Sequence, residues 1–227
     1  MAAGATAMQL IDELRAEHDL IEQVVGSLRT FVDQRQAGQG EAADGQSFLR
    51  FFRLFAGHFH HAREEDTLVI ALTRDAELPA DRGPIAVMLA DHARMAAMLD
   101  AMEPLIGTAL RGEAERARLQ ELTTAYAHAL WHHIDAENTV LLPESEVRLK
   151  RHGVAELPSR PMTAEEREAK AIGEALLERY PPASDADAFR GDGCIACPAF
   201  GETCRGLEHE WWNEWEWEEF EDHLPSG

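Results

Sequence analysis

The chain has 227 residues, 45% hydrophobic and 28% charged, enough for one domain of ordinary size plus an appendage. Its 42 acidic against 21 basic residues give a formal net charge of -21. That excludes the basic footprint on which nucleic-acid affinity depends, and an anionic membrane would repel such a surface.

No segment approaches the ~20 apolar residues of a membrane-spanning helix. The opening MAAGATAMQL lacks the charged and apolar regions of a signal peptide. Three cysteines crowded between 194 and 204 do not form a disulfide framework. A reducing cytosol is therefore the expected location.

In chain order, four segments carry a sustained helical period, rich in Ala, Leu, Glu and Arg. The first runs from about Met8 to Gln36, with Ile11, Leu14, His18, Ile21, Val25, Leu28 and Val32 on one stripe. The second, from about Ser47 to Arg74, sets Leu54, His58, His61, Glu65, Leu68 and Leu72 in register. The third, from about Pro84 to Leu110, opens on a proline suited to a first turn and aligns Ile85, Met88, His92, Met95, Leu99, Met102 and Ile106. The fourth, from about Glu113 to Leu149, aligns Leu122, Tyr126, His133, Glu137 and Val140 or Leu141, and Pro143 is expected to kink it or end it early. Stripes of mixed three- and four-residue steps pack side by side. Short connections holding Gly38, Gly40, Gly45, Pro79 and Gly83 make neighbours antiparallel. The expected fold is all-α, an up-down-up-down four-helix bundle over 1–150 with a helical and irregular extension over 151–227.

The second helix pair repeats the first. His18 and His92 lie 74 residues apart, and His61 and His133 lie 72 apart. Ala16-Glu17-His18 matches Ala90-Asp91-His92, and His60-His61-x-x-x-Glu65-x-Thr67 matches His132-His133-x-x-x-Glu137-x-Thr139. Residues four apart share one helix face, so each H-x-x-x-E pair can grip one ion or bridge to a neighbour. His60 with Glu64 is also such a pair, but four residues after His132 stands Ala136, so the repeat favours His61 with Glu65. A lone core histidine is more often bonded to a carbonyl or water than to a metal. Two at equivalent places reverse that preference, and a buried carboxylate without a counter-charge is prohibitive. The expected ligands are His18, His61, Glu65, His92, His133 and Glu137. Four imidazoles with two bridging carboxylates suit a pair of first-row metals, an oxo or hydroxo bridge, and O₂-derived anions or NO.

This constellation resembles the hemerythrin-like HHE cation-binding family over roughly residues 8–145. The resemblance implies an oxygen- or NO-responsive non-haem di-iron centre bridged by the two glutamates. The oxygen carriers of that family have H-x-x-x-H on the third helix, whereas here residues 88 and 96 are Met and Ala. The set looks more like the bacterial iron–sulfur cluster repair proteins, which puts reversible O₂ storage in doubt. Ferritin-like di-iron bundles use E-x-x-H pairs, a spacing no bundle histidine shows here. Two functions follow as expectations. One is a redox-active stress-response protein handling O₂, NO or peroxide. The other is an iron or oxygen sensor that signals to a protein partner through its tail.

His58 and Tyr126 are candidates to support the site from outside the ligand set. Met88, Met95, Met98 and Met102 read as core. His60, His128, His132 and His152 read as surface. Beyond Arg151, Pro158 and Pro161 mark a linker, and Thr163 with Glu166 forms a capping box before a short helix to about Tyr180. Cys194-x-x-Cys197 with Cys204 and His209 is a candidate second site, for zinc, an iron–sulfur cluster or a redox dithiol. Four of the five tryptophans fall in the acidic run 211–217.

Overall fold

The structure, a computed structural model, describes residues 8–182. The cysteine and tryptophan segments, with Cys194, Cys197, Cys204 and His209, lie outside the described residues. Among those described there is no strand and no helix long and apolar enough to cross a membrane.

Helix α1 spans Gln9–Gln36. Helix α2, Ala42–Arg50, continues through π-helical stretches at Phe51–His61, Glu64–Val69 and Ala71–Asp75. Helix α3 is Gly83–Ile106, with Pro84 in its first turn as its fixed φ and missing N–H favour. Helix α4 is Gly112–Ala136, followed by a π turn at Glu137–Leu141, then α5 at Leu142–Arg151 and α6 at Ala164–Arg179.

Pro143 does not end the fourth segment. The residues before it keep helical φ and ψ (Leu142 at -67° and -42°), and Pro143 falls in the first turn of α5. The π turn changes the hydrogen-bond register just ahead of it, so the missing N–H falls where a new helix starts.

The core has two apolar clusters with a polar belt between them. One holds Ile21, Phe31, Phe48, Phe52, Met102 and Tyr126. The other holds Leu10, Leu14, Leu68, Leu72, Ile85 and Leu149. Along α1 the chain runs from the second cluster to the first, along α2 and its continuation it returns, and α3 and α4 repeat the alternation. That is the up-down-up-down order. His18, His60, Glu64, His92, His133 and Glu137 occupy the belt, each between apolar residues of both clusters on its own helix.

Helix α6 packs into the first cluster through Ala169, Leu176 and Tyr180. Gly173 allows the approach, because a Cβ there would stand 2.4 Å from Phe51 Cδ2. Ser27 Oγ donates to the carbonyls of Leu176 (3.1 Å) and Tyr180 (2.6 Å), fixing the end of α6 on α1. The expected capping box is present: Thr163 Oγ1 accepts from the Glu166 amide, and the Glu166 carboxylate accepts from the Thr163 amide.

Candidate metal centre

The second helix presents a face one residue away from the expected one. Phe48, Phe52, Ala56, His60, Glu64, Leu68 and Leu72 are all buried at four-residue steps. In an α-helix of 3.6 residues per turn each such step would advance the stripe by about 40°. The wider π turns absorb that drift and hold one face inward over seven positions.

Glu64 is consequently fully buried, while the Glu65 side chain is 42% exposed. His60, expected on the surface, is 1% exposed. The repeat that matters in space is therefore His60 and Glu64 with His133 and Glu137, both 73 residues apart, not the 72-residue text match. Matching Thr67 to Thr139 misled, because Thr139 lies outside the core and bonds back to the Asp135 carbonyl.

The structure places His18, His61, His92, His133 and Glu137 close together, with His60 and Glu64 among them and Glu65 beside them. Two groups of donor atoms result, each close enough to surround one cation: His18, His60, Glu64 and Glu137, and His61, Glu64, His92 and His133. Each carboxylate reaches both. Glu64 Oε1 lies 3.4 Å from His60 Nε2 and its Oε2 lies 3.4 Å from His92 Nε2. Glu137 Oε2 lies 3.1 Å from His18 Nε2 and its Oε1 lies 3.2 Å from His133 Nε2. His92 Nε2 and His133 Nε2 face each other at 3.0 Å.

These distances test whether a metal fits. Donors about 2.1 Å from a shared ion stand about 3 Å from one another. None of the four oxygens of Glu64 and Glu137 accepts a hydrogen bond, although all are buried. Carboxylate oxygens so placed lack their usual partners, and a cation supplies them. The donor set fits.

Outside this shell, acceptors from four different helical segments hold the histidines. His60 Nδ1 donates to Glu17 (2.9 Å), His92 Nδ1 to Glu65 (2.7 Å) and His18 Nδ1 to Asn138 (2.8 Å), while His133 Nδ1 faces Asp91 at 3.6 Å. Each acceptor is the chain neighbour of a donor residue on another helix: Glu17 of His18, Glu65 of Glu64, Asp91 of His92, Asn138 of Glu137. Holding Nδ1–H outward turns Nε2 inward in the form that binds a metal. The sequence held this signal, since Glu17-His18 matches Asp91-His92, but a text match assigns no partner.

Burial keeps the imidazoles of His60, His61 and His92 below their ordinary range, His60 at about 4, so they stand neutral and ready to ligate. Burial also lowers His133, but Glu137 and Asp91 outweigh it and raise the ring to about 10. Burial and the facing Glu137 push Glu64 up. For Glu137 burial acts the same way, but His133 and His18 prevail and hold it down.

An open cavity of about 250 Å³ reaches this centre between the second helix and α3, with His61, Glu65, His92, Met95, Leu99 and Tyr126 among its lining residues. Of the two candidate supporting residues, Tyr126 is buried at this cavity against Phe52, their rings 5.1 Å apart. His58 is exposed at its rim.

Fold and site define a helical bundle in which His and Glu side chains from all four bundle helices can hold cations at its middle. The chain matches the hemerythrin HHE cation-binding domain over residues 9–145 and belongs to that family. Compared with curated proteins and with solved structures, it shows no significant match.

Proposed function

We propose that the centre is a non-haem di-iron site that binds a small molecule such as O₂, NO or peroxide, in oxidative or nitrosative stress or iron–sulfur repair. The observation that carries this reading is that Glu64 belongs to both adjoining donor groups, while Glu137 belongs to one and stands 3.2 Å from His133 of the other. Two carboxylates each spanning two sets of imidazoles suit a pair of ions at short separation, and imidazole with carboxylate and no thiolate suits iron. His18 and His60 would hold one ion, His61, His92 and His133 the other, with Glu64 and Glu137 between them.

Iron bound there supplies redox electrons and open coordination positions to a small ligand. The chain supplies the surroundings. Met95 and Leu99 line the cavity with apolar surface at the His61 and His92 rings, and Glu65 fixes the orientation of His92. Burial pushes the Tyr126 phenol above its ordinary range, and Tyr126 lines the same cavity.

Aerobic reconstitution with iron tests the proposal. Two irons per chain with near-ultraviolet charge-transfer bands are expected, and loading without those bands rejects the redox reading. Within it, Gly57→Leu fills the cavity: a Cβ at Gly57 meets only the Phe52 carbonyl at 3.5 Å. That variant should keep both irons and bind azide or NO more weakly.

A further inference from the structure

Arg63 is among the largest fully buried side chains, 2% exposed, and the ligand set does not use it. A guanidinium in that position needs every partner it can find. Its Nη2 donates to both oxygens of Glu17. Its Nη1 donates to Glu13 (2.8 Å) and to Ser159 Oγ (3.0 Å), and its Cζ lies 3.9 Å from the centre of the Phe59 ring. Ser159 in turn donates to Glu13. Glu17 is the residue that accepts from His60 Nδ1. A continuous polar path thus runs from the segment preceding α6, through Arg63 and Glu17, to His60.

Among the described residues, the other half of the repeat has no residue at the equivalent position to do the same. The residue 73 positions beyond Arg63 is Ala136. Asp91, which faces His133 as Glu17 faces His60, is bonded to Arg94, whose side chain is 55% exposed. Among the described residues, the buried guanidinium of Arg63 therefore backs the acceptor of His60, while the acceptor facing His133 is bonded to an arginine that is largely in solvent.

We infer that Arg63 is a positioning residue for the His18, His60, Glu64 and Glu137 group alone: it clamps Glu17 so that His60 keeps Nε2 turned to the cation. The clamp is completed by Ser159, which makes this cation site depend on the segment leading to α6. The inference rests on the two-cation reading above. It makes the two sites unequal, because a fixed acceptor preserves both the tautomer and the ring orientation of His60, and residues in that role typically govern 10–100-fold in metal affinity.

The test is a cobalt(II) titration of the full chain, followed by visible absorption and by metal analysis after desalting. Wild type should take up two ions. Arg63→Met should retain one with unchanged affinity and bind the other about 10–100-fold more weakly. Arg63→Lys should recover part of the loss, and Ser159→Ala should weaken the same ion by a smaller factor. Should Arg63→Met fail to fold, Glu17→Ala removes the acceptor and should produce the same loss at one ion. Two ions bound with wild-type affinity in Arg63→Met, or equal weakening of both, overturns the inference and leaves the two-cation reading standing. Fewer than two ions in wild type overturns that reading, and the inference falls with it.

Discussion

Glu64 and Glu65 are adjacent carboxylates with opposite surroundings. Glu64 is enclosed among imidazoles with no hydrogen bond to either oxygen, whereas Glu65 is partly in solvent and accepts from His92 Nδ1. Their substitutions should separate accordingly. Glu64→Gln removes a donor common to both groups, so iron content measured after desalting should fall well below one per chain. Glu65→Gln leaves the donors in place and should weaken binding by roughly tenfold. If Glu65→Gln proved the more damaging, the assignment of Glu64 would be wrong. The sequence was legible at His18, His92, His133 and Glu137 because each falls on a stripe of ordinary α-helical period. It was not legible at His60 and Glu64, because neighbouring residues with the same chemistry can be told apart only by helix phase.

That phase is decided at the scale of the element. The run Phe48, Phe52, Ala56, His60, Glu64, Leu68, Leu72 keeps a four-residue step that an α-helix cannot hold on one face, and the π-helical stretches make it possible. An uninterrupted series of fours was the available sign, and a reading in mixed threes and fours passed over it. Helix α6 offers a separate test of packing. Gly173→Ala puts a methyl into the Phe51 ring and should cost about 1–3 kcal/mol in chemical denaturation, the usual range for overpacking. The start of α6 has a pH signature. The hydrogen bonds from Arg160, then those within the Thr163 cap, hold the Glu166 carboxyl down to about 2 from an ordinary 4.5. A carboxyl lowered on folding stabilises fully above its unfolded value and loses that contribution as pH falls through the folded one. Wild type should therefore lose stability relative to Glu166→Gln between about pH 4.5 and 2, and parallel curves over that range would contradict it.

Across the whole molecule, the belt of His and Glu between two apolar clusters sets what metal removal does. Without a cation, buried carboxylates and imidazoles must share protons and remain short of hydrogen bonds, which opposes the burial gained on either side. A ligand that binds only the folded state adds about 2.7 kcal/mol at a hundredfold excess over its Kd. Chelation should therefore lower the melting temperature, seen by calorimetry, and Glu64→Gln should respond less than wild type. An unchanged melting temperature on chelation would show that the belt does not hold a metal. The same organisation explains why α6 matters to a centre it does not touch: it completes the Phe-rich cluster, and the segment before it supplies Ser159 to Arg63.

The sequence by itself determined the helical class, the four-helix order, the internal duplication and the concentration of His and Glu at its middle. Periodicity, short connections and repeated His and Glu residues are properties of the chain taken locally, and local rules suffice to read them. Only the tertiary structure decided which of two adjacent histidines and two adjacent glutamates serve which group, and that Arg63 joins a remote segment to one of them. Those outcomes depend on helix phase accumulated over many turns and on contacts such as Ser159 with Glu13, 146 residues apart. No short window of sequence contains either.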